Sequence, residues 1–358
     1  MCVTSSFPAI VADAGSTGTR VYAFHLTEEG VDMSLLGKIT PGLSTFAERD
    51  EIAKVADLLA PLLDRGARRL GGRAVPVHVL GTGGVRSLAQ PLQSALWTRL
   101  RAELTTRTSA AVGALVLDAI PGTKEAFYGL VSVRHLTGGN FGVLDLGGSS
   151  AEIAHAGVDD TAGSEDDLLV THAQLGTEKI RAEASEACTF SKGDSAAGRR
   201  CTERIKQVLA EHTIDRILFD NDHDFYGVSA FAYSLDFAFW LVNNKSDSRY
   251  AAFLGEYPAP SVAVLRDLCG ALCAEALDVA LFTQHPRTNA REAEGRCFDV
   301  CYVAELLAAF GVQDHERRIT FAIAVEDREI EWTLGYYLTH VVSSTQKASV
   351  PTNTRDDL

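Results

Sequence analysis

The sequence has no long apolar segment and has fewer basic than acidic residues. No apolar run reaches the roughly eighteen residues that a membrane-spanning helix needs. Residues 1–8 contain neither a basic segment nor an apolar core, so no signal peptide is visible. The formal net charge is -14, and a chain of this charge repels nucleic acid and anionic lipid on average. We therefore expect no membrane span and no nucleic-acid partner.

The cysteines lack the histidines that would complete a zinc site. Cys269 and Cys273, like Cys297 and Cys301, are separated by three residues within helix-like segments. Without supporting histidines, zinc is a poor interpretation. The total of seven cysteines is odd, so at least one is unpaired within a single chain. Disulfides and buried thiols are both better interpretations than zinc, and spacing does not separate them.

The composition is that of a globular protein. Hydrophobic residues make up 46% of the chain and charged residues 22%. At 358 residues the chain is too long for one small core, so two domains are expected.

Two stretches repeat a plan of strand, glycine-containing turn and strand. Asp13 ends the first apolar run of segment 10–24, and Asp145 stands in the same place in segment 141–154. Glycine and serine in such turns expose backbone N–H groups that cradle anions. The residues predicted to bind phosphate are Ser16, Thr17, Gly18, Gly147, Gly148 and Ser149. The repeat predicts a duplicated core around a phosphate site, with Asp13 and Asp145 holding a hydrated divalent cation.

Two further segments supply candidate catalytic residues. The turn 81–86 follows a predicted strand, and its Thr82 is either part of a plain turn or a contact for phosphate or metal-bound water. Arg86 is expected to brace the fold through a carboxylate. Glu125 begins a predicted helix, where a carboxylate is favourable without any catalytic role. The alternative role of Glu125 is a general base that orients the attacking water.

The spacing of apolar residues predicts the remaining elements. Helices are predicted over 50–70, 89–104, 125–136, 204–211, 262–281 and 298–310. Strands are predicted over 75–80, 114–120, 319–325 and 330–332, the last two as a pair, and 216–220 is a short apolar segment. The acidic segments 157–167 and 220–224 are interpreted as surface loops rather than metal sites.

These motifs resemble those of the apyrases, also called nucleoside triphosphate diphosphohydrolases. The resemblance extends from Asp13 to Leu338, and its motifs are residues 13–20, 81–86, 122–138, 145–153 and 332–336. Two departures from the family pattern matter for the chemistry. Glu152 stands where the family has Gln, and Ala126 stands where it has Gly.

The resemblance implies an α/β fold of two actin-like, RNase H-like lobes with mixed sheets flanked by helices. The active site then lies in the cleft between the lobes. Lobe I comprises residues 1–121 plus 323–358, and lobe II comprises residues 122–322. A disulfide between Cys188 and Cys201 is also implied.

The implied activity is hydrolysis of the terminal phosphates of nucleoside tri- and diphosphates with Mg2+ or Ca2+, by direct in-line attack of water. The implied catalytic residues are Glu125 as general base, Ser150 and Glu152 around the water, and Thr82. Asp13 and Asp145 hold the metal through water, with Trp332 nearby. The implied protein is a monomer of the secretory pathway or extracellular space. Because no signal peptide is visible, the cytoplasm stays an alternative.

Four alternatives belong to the same superfamily. Exopolyphosphatases and guanosine pentaphosphate phosphatases carry a glutamate at the position of Glu152 and Glu-Ala at positions 125–126. A catalytically weak nucleotide-binding regulator is the second alternative. A kinase would need a catalytic Asp at an acceptor site, and none is identifiable. A chaperone ATPase would need a peptide-binding domain that this length cannot hold. Segments 175–176, 297–310 and 332–338 favour the apyrases.

Overall fold

The computed structural model describes residues 7–155, 168–216, 224–245 and 247–343. The chain divides into two compact units. Unit 1 comprises Met1–Ser132 and Glu331–Leu358, and unit 2 comprises Val133–Ile330. The predicted loop 157–167 and most of the segment 220–224 lie outside the described residues.

Unit 1 contains a five-stranded mixed sheet. Its strands are β1 (Ala9–Ala14), β2 (Thr19–Thr27), β3 (Gly30–Ile39), β4 (Val75–Gly81) and β5 (Val112–Ala119). Their order is β3-β2-β1-β4-β5. The first three strands pair antiparallel, whereas β4 runs parallel to β1 and β5 parallel to β4. Every residue of β1 is buried, as expected for a central strand that is covered on both faces.

Five helices follow in this part of the chain. They are α1 (Leu43–Glu48), α2 (Ile52–Arg69), α3 (Gly83–Arg86), α4 (Gln90–Arg107) and α5 (Gly122–Thr137). The predicted helix over 50–70 is confirmed as α2, which buries Val55, Leu59 and Leu63 on one face. The helix is followed by Gly71 and Gly72, both with positive φ, as expected for a glycine stop. The predicted lobe boundary after residue 121 lies just before α5, whereas the compact units divide inside this helix.

Unit 2 repeats the sheet plan of unit 1. Its strands are β6 (Gly142–Leu146), β7 (Ala151–His155), β8 (Leu168–His172), β9 (Phe225–Ser229) and β10 (Ile319–Phe321). Their order is β8-β7-β6-β9-β10. Strands β6 to β8 pair antiparallel, β9 runs parallel to β6, and β10 runs parallel to β9. The duplicated core that the two similar stretches predicted is confirmed.

The predicted pairing of 319–325 with 330–332 is correct only in part, because it is limited to the end of the first segment, where the N–H of Ile330 donates to the carbonyl of Ile323 at 2.9 Å. Strand β10 joins the main sheet of unit 2 beside β9. A separate hairpin is formed by β11 (Ala324–Val325) and β12 (Arg328–Glu329). Glu326 and Asp327 both have positive φ, which is the backbone of a tight two-residue hairpin turn. The apolar pattern did not indicate this turn. Because the turn occupies residues 326–327, the paired strands are only two residues long each.

Helices form the rest of unit 2. They are α6 (Thr177–Ala184), α7 (Ala197–Leu209), α8 (Ala230–Asn244), α9 (Val262–Cys273), α10 (Val279–Phe282) and α11 (Ala290–Ala309). The predicted helix over 262–281 is two helices, because α9 ends at Cys273 and the side chain of Asp278 caps a new helix, α10. Helix α11 is the most thoroughly buried, with thirteen buried residues.

Three disulfides cross-link the helices of unit 2. Cys269 pairs with Cys301 and Cys273 pairs with Cys297, which ties α9 to α11 at successive turns. Cys188 pairs with Cys201, as the apyrase resemblance implied. The choice between disulfides and buried thiols is therefore settled for these six residues, and zinc is not needed to explain them.

The last described segment returns to unit 1. Helix α12 (Trp332–Tyr336) continues into a π-helical turn over Tyr337–Val342. Tyr337 is buried and its ring stacks on Phe24 of β2 at 4.9 Å between centroids. Among the described helices, none combines the length and apolarity that crossing a membrane requires.

Candidate active site

The first predicted phosphate-binding turn joins β1 to β2. Asp13 lies near the end of β1, and in the strand ladder it pairs with Arg20 of β2. Its buried carboxylate Oδ2 is 3.8 Å from Nη1 of Arg20. Ser16, Thr17 and Gly18 follow in the turn, where Thr17 is exposed and Gly18 is buried. The turn thus places one exposed residue, Thr17, beside a buried, charge-paired aspartate.

Two glycines outside this turn leave room for it. A Cβ atom on Gly42 would lie 2.3 Å from the carbonyl oxygen of Ser16. A Cβ atom on Gly84 would lie 2.6 Å from the Cα atom of Ser16. Backbone contacts this close require glycine. The turn is therefore held between the residue that precedes α1 and a residue of α3.

Thr82 lies beside the same turn. Its backbone N–H donates to the carbonyl oxygen of Ala14 at 3.2 Å, which extends the pairing of β4 with β1. Thr82 directly precedes α3, and its own carbonyl accepts from the N–H of Arg86, the last residue of that helix, at 2.9 Å. The Thr82 side chain is buried next to the turn. Its contact with phosphate or metal-bound water stays a prediction.

Glu125 lies in the first turn of α5 and is 8% exposed. Nη1 of Arg86 donates to Oε2 of Glu125 at 2.6 Å and to the carbonyl of Ile120 at 3.2 Å. Burial raises the pKa of the Glu125 carboxyl above its usual range, although Arg86 partly opposes this shift. A buried carboxylate with a raised pKa is suited to accept a proton near neutral pH. The prediction that Arg86 braces the fold through a carboxylate is confirmed.

Trp332 is the first residue of α12, and it packs on α5. Its ring lies 6.3 Å from the ring of Tyr128, which is one helical turn from Glu125. A Cβ atom on Gly335 would lie 2.0 Å from the carbonyl oxygen of Tyr128, so the two helices meet at backbone distance. The hydroxyl of Ser132 accepts from the N–H of Gly335 at 2.8 Å. Helix α12 therefore fixes the position of the helix that carries Glu125.

The second predicted turn joins β6 to β7. Asp145 and Glu152 are paired in the strand ladder, and both are buried. Glu152 is only 1% exposed, and its Oε1 accepts from Oγ of Ser150 at 2.6 Å. The N–H of Gly147 donates to the carbonyl of Ser150 at 2.9 Å and closes the turn.

Helix α6 holds this second turn. The N–H groups of Thr177 and Glu178 donate to the carbonyls of Gly147 and Gly148 at 3.0 and 2.9 Å. First-turn N–H groups have no partner within their own helix, so they are free to make such bonds. A Cβ atom on Gly176 would lie 2.3 Å from the backbone nitrogen of Ser149. The start of α6 is thus in direct backbone contact with the predicted phosphate-binding residues.

Within each unit, the structure groups the predicted residues. In unit 1 one group contains Asp13, the turn 16–18, Thr82, Glu125 and Trp332. Contacts of the neighbouring residues Ala14, Gly84, Arg86 and Tyr128 connect its members. In unit 2, Asp145, the turn 147–150 and Glu152 form a second group. The supporting roles of Gly42, Gly84 and Gly176 were not predicted from the sequence. Glycine directly before a helix-like run was the one available signal, and it applies to Gly176.

The donor chemistry fits a hard divalent cation. Asp13 and Asp145 offer carboxylate oxygens, which Mg2+ and Ca2+ prefer. Within the described ranges, the groups of three His, Cys, Asp or Glu residues close enough to share an ion consist of cysteines, and all of these are in disulfides. Mg2+ usually keeps several waters and takes one or two carboxylates together with substrate phosphates.

Two sheets of the same order, each with a glycine turn after its first strand, define a two-lobed α/β protein of the actin-like class. Solved structures support this fold. A nucleoside triphosphate hydrolase from Neospora caninum has a TM-score of 0.61 at 15% identity, covering 95% of this chain and 93% of that one. A Ppx/GppA family member from Aquifex aeolicus has a TM-score of 0.60 at 14% identity, covering 96% and 99%. At these identities the similarity establishes the fold alone.

The chain belongs to the GDA1/CD39 (nucleoside phosphatase) family, whose model matches residues 3–174 and 174–353. It is similar to a nucleoside-triphosphatase of Pisum sativum, with 32% identity over 164 residues, 41% of this chain and 36% of that protein. This alignment spans about a third of the pea protein's length. Ectonucleoside triphosphate diphosphohydrolase 6 of Rattus norvegicus is 23% identical over 96% of this chain and 84% of its own length. A probable apyrase 3 of Arabidopsis thaliana is 22% identical over 94% and 82%.

Proposed function

We propose that the protein hydrolyses the terminal phosphates of nucleoside tri- and diphosphates. The observation that carries the proposal is the buried carboxyl of Glu125, with its raised pKa, held by Arg86 at 2.6 Å. Membership of a nucleoside phosphatase family supports the substrate class. Relatives named as nucleoside-triphosphatase, nucleoside-diphosphatase and apyrase support it further.

In the proposed reaction, water attacks the terminal phosphorus in line with the leaving oxygen, without a covalent intermediate. Glu125 accepts a proton from this water, while Ser150 and Glu152 orient it. Backbone N–H groups and hydroxyls of the turns 16–18 and 147–149 bind the terminal phosphate, and Thr82 supports the reacting groups. Because little covalent chemistry is asked of the protein, positioning supplies much of the rate acceleration.

Asp13 and Asp145 are proposed to hold Mg2+ or Ca2+ through coordinated water, with Trp332 nearby. Such a cation, when bound, neutralises the charge that develops on the phosphate oxygens. The residues of this chain then hold the substrate, the water and the proton acceptor in the relative positions that in-line attack requires. We further propose that the protein works in the secretory pathway or outside the cell, because three disulfides are typical of an oxidising compartment.

A phosphate-release assay with ATP, ADP, GDP, UDP and polyphosphate tests the proposed function. Each substrate is measured with Mg2+, with Ca2+ and with a chelator. We expect release from nucleoside tri- or diphosphates that depends on the cation. Release from polyphosphate alone would contradict the proposal and favour the exopolyphosphatase alternative, to which Glu152 also corresponds. Nucleotide binding without any release would instead identify a regulator.

A further inference from the structure

One face of α11 packs against α6 and the residues just before it. Four residues of α11 lie on this face: Gly295, Phe298, Asp299 and Tyr302. The last three lie three, four and seven residues after Gly295, which is the spacing of one helical face. Phe298, Asp299 and Tyr302 are buried. The face is therefore covered by other parts of unit 2, and the covering element includes α6.

Two side chains of this face contact α6 and the residue just before it. The hydroxyl of Tyr302 donates to the carbonyl of Leu175. Oδ1 of Asp299 accepts from Nη2 of Arg181, in the second turn of α6. The Arg181 guanidinium lies 5.2 Å from the centre of the Phe298 ring. A Cβ atom on Gly295 would approach that guanidinium to 3.1 Å, so glycine leaves room for it.

The carboxylate of Asp299 is shared by two arginines. Its Oδ2 accepts from Nη1 of the buried Arg296 at 3.3 Å. Nη2 of Arg296 in turn donates to Oγ1 of Thr288 at 2.7 Å. A buried carboxylate between two guanidinium groups cannot be removed without leaving uncompensated positive charge. The attachment of Arg181 is therefore firmer than that of an exposed ion pair.

Helix α6 transmits this attachment to the predicted phosphate-binding turn. Its first N–H groups bond the carbonyls of Gly147 and Gly148, and Gly176 touches the backbone of Ser149. A shift of α6 therefore shifts the turn, because the backbone of residues 176–178 is in direct contact with the backbone of residues 147–149. In catalysis by positioning, a displacement of about 1 Å costs about 100-fold in rate.

We propose that Asp299 and Tyr302 are positioning residues for phosphate hydrolysis, acting through α6 on the turn 147–150. The inference rests on the proposed function, since the turn matters for turnover only if it binds the reacting phosphate. It goes beyond that function in assigning a role to two residues of α11 whose hydrogen bonds go to Arg181, Arg296 and Leu175.

The variants Asp299→Asn and Tyr302→Phe test the proposal. Asparagine keeps the shape of the side chain without its charge, and phenylalanine removes the donor to Leu175. The matched control is Glu305→Gln. Glu305 is a buried carboxylate on the same helix, and it accepts from Arg266 at 2.8 and 3.1 Å, away from α6.

Two readouts are needed. The first is kcat and KM for the best nucleotide, with melting temperatures measured in parallel. We expect Asp299→Asn and Tyr302→Phe to lower kcat by about 10- to 100-fold with KM changed far less, whereas Glu305→Gln keeps kcat within about twofold. The second readout is hydrogen exchange of the Thr177 and Glu178 amides, which should be faster in the two positioning variants and unchanged in the control.

The outcomes separate this inference from the proposed function. If the wild-type protein releases no phosphate, the proposed function fails, and amide exchange still tests the link between α11 and the turn. If the wild type is active but both variants keep its kcat and its amide protection, the positioning role is overturned. An equal loss of kcat in Glu305→Gln would overturn it as well, since any buried charge of α11 would then suffice. If Asp299→Asn does not fold, Tyr302→Phe decides the question.

Discussion

The two predicted phosphate-binding turns have the same place in their sheets but different support. In unit 1, the turn 15–18 is enclosed by backbone packing at Gly42 and Gly84. In unit 2, the turn 147–150 receives hydrogen bonds from the start of α6, which an ionic network attaches to α11. The duplicated strand plan therefore determines where each turn lies. The helices and loops that each unit adds determine how firmly the turn is held.

The charges opposite the two aspartates differ as well. In the ladder of unit 1, Asp13 pairs with Arg20, and in the ladder of unit 2, Asp145 pairs with Glu152 at the equivalent place. Opposite charges across a strand pair are stabilising, whereas like charges are destabilising. Unit 2 thus places two acidic groups where unit 1 places an ion pair. We therefore expect the acidic pair of unit 2 to respond more strongly to a bound cation than the ion pair of unit 1 does.

The largest expected effect separates the two carboxylates that the proposed mechanism uses. Glu125→Gln should lower kcat by about 100- to 10,000-fold, because the amide cannot accept the proton of the attacking water. Nucleotide affinity, measured by calorimetry, should stay close to that of the wild type. Glu103→Gln, which changes a half-buried glutamate of α4 in unit 1, is the control and should leave kcat unchanged. Turnover at the wild-type rate in Glu125→Gln would remove Glu125 as the base.

The next effect compares the two kinds of support directly. Gly84→Ala and Gly176→Ala each add a methyl group that would overlap a turn backbone, at 2.6 and 2.3 Å. Displacement of the turn should lower kcat by about 100-fold, and the forced contact should destabilise the protein by about 1–3 kcal/mol in a denaturation experiment.

Gly270→Ala is the control for these two variants. Gly270 lies in α9, and among the described residues nothing outside its own helix lies within 4 Å of an added Cβ atom. This variant should keep full activity. Wild-type kcat in Gly84→Ala together with a strong loss in Gly176→Ala would show that only the turn of unit 2 needs exact placement.

A smaller effect concerns the pH dependence that Arg86 imposes. Burial raises the pKa of Glu125 and Arg86 opposes that shift. A general base must be deprotonated, so activity falls as the pH drops through its pKa. In Arg86→Met, the opposing charge is lost and the acid limb of kcat/KM should move to higher pH. Arg107→Met, in an ion pair of unit 1 with Asp57, should leave the limb in place. A limb at the wild-type pH in Arg86→Met would argue that another group controls it.

The parts of the site that could be predicted are local in sequence. Asp13 and Asp145 were found because each stands at the end of an apolar run and before a glycine turn, within a few residues. The attachment of Arg181 to Asp299 joins residues 118 positions apart, so no local pattern announces it. Gly176 was visible as a glycine before a helix, but its contact with Ser149 depends on how α6 meets the turn. Likewise, the pairing of β10 with β9 depends on the sheet of unit 2 rather than on the segment's own apolar pattern.

The smallest expected effect tests the acidic pair of unit 2. In the presence of a chelator, Glu152→Gln should stabilise the protein by about 0.5 kcal/mol, because it removes a like charge opposite Asp145. Added Mg2+ or Ca2+ should raise the melting temperature of the wild type more than that of the variant, because the cation offsets the same repulsion. Arg20→Gln in unit 1 should have the opposite sign and destabilise the protein, since it removes an ion pair from Asp13. Equal cation-induced shifts of the melting temperature in wild type and Glu152→Gln would mean that cation binding does not depend on this acidic pair. The difference between the two strand ladders would then have no effect on cation binding.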